Sequence, residues 1–148
     1  MKVKKKTLFD EVGGLPTLQK VHKIFYDKVY AYEWLKEFFV GHNQEAIENQ
    51  QTSFMAEKIG GPITYVGKPL KMAHRAMYIT QELFDIRQRL LDESLKEAGI
   101  NKSLRHRWLK IDNAFKGQIV KDSIASFYST TWKYEKRIII PKPDNSSL

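Results

Sequence analysis

Apolar residues recur at helical spacing through most of this chain, and the alternation that marks strands is nearly absent. The strongest stripe is Leu83, Phe84, Ile86, Leu90, Leu91 and Leu95, opened by Thr80 and closed by Gly99. A second, Leu18, Val21, Phe25 and Val29, follows the Leu15-Pro16 start, with Lys20, Lys23, Asp27 and Lys28 mostly on the other side. A 3.6-residue period leaves each helix one apolar face, which must be buried against another helix. The chain is therefore confined to an all-α architecture.

The remaining elements follow in order. Thr7 caps a short helix holding Leu8, Phe9 and Val12, and Gly13-Gly14 stops it. The aromatic run from Tyr30 to Phe39 reads as one tight turn that buries Phe38 and Phe39. Asn43 opens a helix to about Lys58 whose inward face carries Ile47, Gln51, Phe54 and Met55. Asn101 opens a last helix, in which Leu104, Trp108, Ile111, Phe115, Ile119 and Ile124 carry the period to about Ser126. The expected division is a basic tail over 1–6, one domain over 7–126, and an extension over 127–148 whose conformation the pattern leaves open.

At 148 residues a single domain can bury a sizeable core. Lys and Arg number 25 against 17 Asp and Glu, a net charge of +8 that permits nucleic acid, acidic membrane or an acidic partner. Four of the lysines, Lys2, Lys4, Lys5 and Lys6, belong to the terminal tail. The absence of cysteine excludes disulfides, iron–sulfur clusters and Cys-zinc sites. No apolar run reaches the roughly 18 residues of a membrane span, and the lysine-rich start lacks a following apolar core, so a cytoplasmic protein is expected. The glycine pairs lack the pattern of a phosphate loop, and no serine sits in a nucleophile elbow.

One segment stands out chemically. Gly60-Gly61-Pro62 opens an irregular stretch, and a short helical turn from about Pro69 carries His74 among Met72, Ala73, Met77 and Ile79. The other histidines, His22, His42 and His106, are scattered, and no pair has the i, i+4 spacing of a zinc helix. Taken alone, His74 reads better as a core or boundary residue than as a ligand. With the surrounding aliphatic and aromatic residues, and with Tyr26 and Gln51 turned inward by helical spacing, it also suits haem, which needs one axial imidazole and an apolar pocket.

Taken together, Leu8-Phe9-Asp10-Glu11-Val12-Gly13-Gly14, Phe25-Tyr26-Asp27-Lys28-Val29, Phe38-Phe39, Gln51 with Phe54, Gly60-Gly61-Pro62 with Tyr65 and Gly67, and His74 five residues before Ile79 resemble the truncated haemoglobins. The match runs over about residues 7 to 120 and is most similar to the first group. It implies an abbreviated globin fold, a two-over-two helical sandwich, here with a C-terminal extension. It implies non-covalent haem b with His74 as the iron ligand. Tyr26 and Gln51 would be the distal donors, with Gln50 competing for that role, and Phe39 would pack on the porphyrin. Ile47, Phe54, Tyr65, Leu70, Met77, Ile79 and Phe84 would complete the pocket.

Arg87 departs from the pattern, since relatives carry an apolar or aromatic residue there. It either runs its stem along the core edge or, with Lys71 and Arg75, contacts a haem propionate. His42 and His22 are candidates for a sixth ligand or simply an exposed and a packed side chain. The expected activity is reversible binding of dioxygen, nitric oxide, carbon monoxide or another small ligand, and the chain would be a monomer or weak homodimer. A nitric oxide dioxygenase-type reaction would need a reductase. The rivals are a gas sensor or store without turnover and a basic helical adaptor for nucleic acid or membrane.

Overall fold

The computed structural model describes residues 6–131 and 135–143, so most of the basic tail lies outside the described residues. Helix α1 (Leu8–Val12) is opened by a reciprocal cap. The Thr7 side chain accepts from the Asp10 N–H at 3.2 Å while the Asp10 carboxylate accepts from Thr7 N–H, which occupies two otherwise open amides. Helix α2 (Leu15–Ala31) begins with Pro16 in its first turn. A single 3-10 turn, Lys36–Phe39, follows and buries Phe38. Asn43 caps α3 (Gln44–Lys58) by accepting from Ala46 N–H at 2.9 Å. The short α4 (Leu70–His74) ends on the histidine. Thr80 and Asn101 cap α5 (Gln81–Glu97) and α6 (Lys102–Asn113) in the same way as Asn43.

Helix α2 packs against α3 and α5, α5 packs against α6, and α1 closes onto α6. Leu18, Val21, Met55, Leu95 and Trp108 are fully enclosed between them, each such aliphatic side chain contributing about 1.5–3 kcal/mol of burial. The Gly60-Gly61 pair lets α1 approach the end of α3. A Cβ on Gly61 would stand 2.7 Å from the Phe9 ring and 2.9 Å from the Ala56 carbonyl oxygen. Phe9 N–H donates to the Ile59 carbonyl at 3.0 Å across that junction.

The C-terminal half departs from expectation in one respect. The last long helix stops at Asn113 rather than near Ser126, and a 3-10 turn, Lys116–Gln118, redirects the chain. Gly117 weakens the helix there, and Lys121 N–H is instead drawn to the Ile79 carbonyl at 2.8 Å. Ser123 then caps a separate α7 (Ile124–Thr130), so the expected boundary at 126 falls inside an element.

Beyond α7 the chain runs back over the body. Phe127 is fully buried with its ring 5.5 Å from Tyr78. Ile138 N–H donates to the Ala76 carbonyl at 2.7 Å and the Ile138 carbonyl accepts from Tyr78 N–H at 2.8 Å, an isolated parallel bridge with Met77. Trp34 Nε1 donates to the Ile140 carbonyl at 2.9 Å, and Lys142 pairs with Glu82 at 2.6 Å. The extension is thus a strap across the segment that follows His74.

Candidate functional site

A cavity of about 400 Å³ opens among α2, α3, α4 and α5, within the range of small-molecule and cofactor pockets. Tyr26, Phe39, Ile47, Gln50, Gln51, Phe54, Tyr65, Leu70, His74, Met77, Ile79, Phe84 and Arg87 all line it. Lys71 and Arg75 lie outside that lining. Most of the wall is aliphatic or aromatic, with polar groups contributed by several elements.

On one side stands His74. Its Nδ1 lies 2.8 Å from the Leu70 carbonyl oxygen one turn earlier in α4. A carbonyl only accepts, so Nδ1 carries the proton and Nε2 of the neutral ring keeps a free lone pair. Burial lowers the His74 pKa, and the Leu70 bond opposes that only in part. The ring is therefore neutral and oriented, its Nδ1–H fixed by the backbone. Behind it, Lys121 Nζ donates to the carbonyls of His74 and Met77, each at 2.9 Å, and of Ile119 at 3.1 Å.

On the other side, α2 presents Tyr26 and α3 presents the glutamines. The Tyr26 ring is wedged against Phe25 at 4.8 Å and Phe39 at 5.9 Å between centroids. Burial pushes its phenol well above the usual range, so the hydroxyl stays protonated and able to donate. Gln51 is half-buried on the same face as Ile47, whereas Gln50 is exposed. That difference favours Gln51 as the inward donor. His22, one turn before Tyr26, is packed away from the cavity with Nδ1 2.7 Å from Thr52 Oγ1.

Arg87, expected either to run its stem along the core edge or to contact a propionate, is paired within the protein. Its two terminal nitrogens donate to Asp112 of α6 at 2.6 and 2.9 Å, a bidentate pair, and Gln88 donates to the same carboxylate at 2.8 Å. The guanidinium lies 5.6 Å from the centroids of both the Phe25 and Phe84 rings. The fork of Arg87 is thus engaged by a carboxylate of the protein itself. Arg75 is likewise engaged, by Glu135. Lys68 and His42 also line the cavity, and the Lys68 carbonyl accepts from Tyr65 Oη at 2.8 Å.

Among the described residues no group of three His, Cys, Asp or Glu could hold a metal ion. A metal taken by His74 therefore needs its other ligands from a non-protein group. An apolar slot with one neutral imidazole on one side and hydroxyl and carboxamide donors on the other fits haem: a flat, largely apolar macrocycle that supplies those ligands. Asp112, Lys121 and Lys68 escaped the sequence reading. Asp112 carried a usable signal, since it stands four residues after Trp108 on an otherwise apolar face.

Comparison with known proteins is consistent with this geometry. Residues 7–121 match the bacterial-like globin family model. A group 1 truncated hemoglobin from Mycolicibacterium paratuberculosis is 35% identical over 94 residues, 64% of this chain and 69% of that protein. One from Tetrahymena pyriformis is 32% identical over 108 residues, 73% of this chain and 89% of that protein. The crystal structure of truncated hemoglobin from Tetrahymena pyriformis in its Fe(III) form superposes with a TM-score of 0.75 at 28% identity, covering 79% of this chain and all of that one. No helix among the described residues is long and apolar enough to cross a membrane.

Proposed function

Because the chain belongs to the truncated haemoglobin family, in its first group, we propose that it holds haem b non-covalently through His74 and binds dioxygen and other diatomic ligands on the face lined by Tyr26 and Gln51. Reversible diatomic binding is what membership of a globin family carries. The observation that supports the assignment of residues is the orientation of His74, whose Nδ1–H is committed to the Leu70 carbonyl and whose Nε2 is free. Haem, when bound, supplies an iron that takes such ligands reversibly. Tyr26 and Gln51 donate hydrogen bonds to a ligand that gathers negative charge, and the apolar wall excludes water. Lys68, which lines the cavity, and Lys71 are the lysines assigned to the propionates.

An absorption spectrum on haem addition tests this. The wild-type chain gives a shifted Soret band; His74→Gly gives a weaker or altered one that imidazole restores. No Soret shift in the wild type rejects the reading.

Conversion of nitric oxide to nitrate is the enzymatic form of the proposal, supported by the two donors. Dioxygen and nitric oxide combine to nitrate, and the electron lost by the iron must be returned by a separate reductase, in a cytoplasmic setting. Turnover of nitric oxide with a reductant, against ligand binding alone, separates this from a sensor or store. A basic adaptor would instead bind nucleic acid or anionic vesicles salt-sensitively and show no haem spectrum.

A further inference from the structure

Arg87 and Asp112 both line the cavity, and the cation is the more exposed partner. The Asp112 side chain is 5% exposed and the Arg87 side chain 23%. The carboxylate accepts three hydrogen bonds, two from Arg87 and one from Gln88. The guanidinium instead spans the Phe25 and Phe84 rings, both of which line the cavity. The charges reach the functional groups unequally. Burial raises the Tyr26 phenol, and of the nearby charges Arg87 comes next and opposes it, ahead of Asp112.

Stability alone does not account for the pair. Removing two charges from water in an apolar interior gains little over apolar residues of the same volume, and the neighbours here, Leu83 and Leu90, are apolar and buried. Both partners nonetheless stay charged. Burial works against each of them, and pairing prevails, raising the Arg87 pKa and lowering that of Asp112.

We infer that Arg87 is a specificity-determining residue of the cavity: its guanidinium, held by Asp112 and sandwiched by Phe25 and Phe84, favours small monovalent anions over neutral diatomic ligands. The inference rests on the haem reading above. Asp112 positions the cation and tempers it. An ion entering beside Tyr26 meets a fixed positive charge in a poorly screened site, where Coulomb terms are largest.

The test uses the haem-loaded chain. Azide affinity of the ferric form and carbon monoxide affinity of the ferrous form are measured by spectroscopic titration, with the reduction midpoint potential as a second readout. Arg87→Met weakens azide roughly tenfold or more, as loss of a nearby charge in a low-dielectric site requires, and leaves carbon monoxide within about twofold. Arg87→Lys retains most of the azide affinity. Asp112→Asn, which frees the cation, strengthens azide binding and raises the midpoint potential. Since Arg87→Met strands a buried carboxylate, Arg87→Met with Asp112→Asn serves as the folded control and shows the same azide loss. Unchanged azide affinity in that double variant, or equal shifts for azide and carbon monoxide, overturns the inference while leaving the globin reading intact. Failure of the wild type to take up haem removes both.

Discussion

Lys121 reaches under the segment after α4 and places its ammonium 2.9 Å from the carbonyl oxygen of His74, the residue that presents the cavity's imidazole. The same ammonium meets Met77 and Ile119. Helix α4 has only five residues and no side-chain cap, so its last carbonyls have no continuing helix to accept from. A single cation supplies what a longer helix would.

Replacing Lys121 by Met should therefore loosen the imidazole rather than remove it. The ammonium is half-buried, and after solvent screening the loss amounts to about 1–2 kcal/mol, a fall in melting temperature of roughly 2–8 °C. Haem transfer to an acceptor globin should quicken in parallel. A variant that melts and releases haem like the wild type shows that the clamp is incidental.

Tyr26→Phe keeps the ring packing against Phe25 and Phe39 and deletes only the hydroxyl. A hydrogen bond to a charged acceptor is worth about 1.5–3 kcal/mol, so dioxygen release should accelerate roughly ten- to a hundredfold. Stopped-flow off-rates decide it. An unchanged rate takes Tyr26 out of the ligand's surroundings and leaves Gln51 as the donor.

His22 gives the fold an acid sensitivity. Burial first, then the nearby Arg87, draws its pKa down from 6.5 to about 3, with Asp112 in partial opposition. Between those values the unfolded chain binds a proton that the folded chain refuses. Stability is thus fully present above about pH 6.5 and declines as pH falls toward 3, by about 1.4 kcal/mol per pH unit from this group. His22→Gln should flatten the urea-midpoint profile between pH 6.5 and 4 relative to wild type. Parallel profiles would show that His22 does not stay neutral in the fold.

Phe127 anchors the strap. It is fully enclosed, 5.5 Å from Tyr78 and beneath the Lys121 ammonium at 5.8 Å. Phe127→Ala should cost about 3–5 kcal/mol and also loosen haem, because Tyr78 and Met77 lead back to His74. Loss of stability with haem retention unchanged would separate the strap from the site.

Much of this was legible in the sequence because helices announce themselves locally. The caps at Thr7, Asn43, Thr80 and Asn101 and the stripes on α2 and α5 are readable within a few residues, and each stands where expected. The lining of the cavity followed from the family resemblance. What stayed hidden depends on pairings across the chain. Arg87 and Asp112 each interrupt an apolar stripe, and 25 residues apart they explain one another only when α5 meets α6. The break after Asn113 is of the same kind. The apolar period continues through Phe115, Ile119 and Ile124, but Lys121 gains more from the carbonyls near His74 than from another turn of helix. The strap was unreadable because its backbone bonds to Ala76 and Tyr78 leave no mark on its own composition.

The hydrogen bond from Trp34 to the Ile140 carbonyl joins residues 106 apart in the chain, and its consequence is one of timing. Chains are synthesised from the N-terminus at about 5–20 residues per second. Tyr26, Gln51 and His74 are therefore all made well before the segment that crosses the turn after His74. The helices can collapse around an apolar slot early, yet the turn after His74 gains its partners Phe127 and Ile138 only later. The order of synthesis gives the nascent chain an interval in which the slot is formed and still loosely held, the condition under which a rigid, flat cofactor enters most easily.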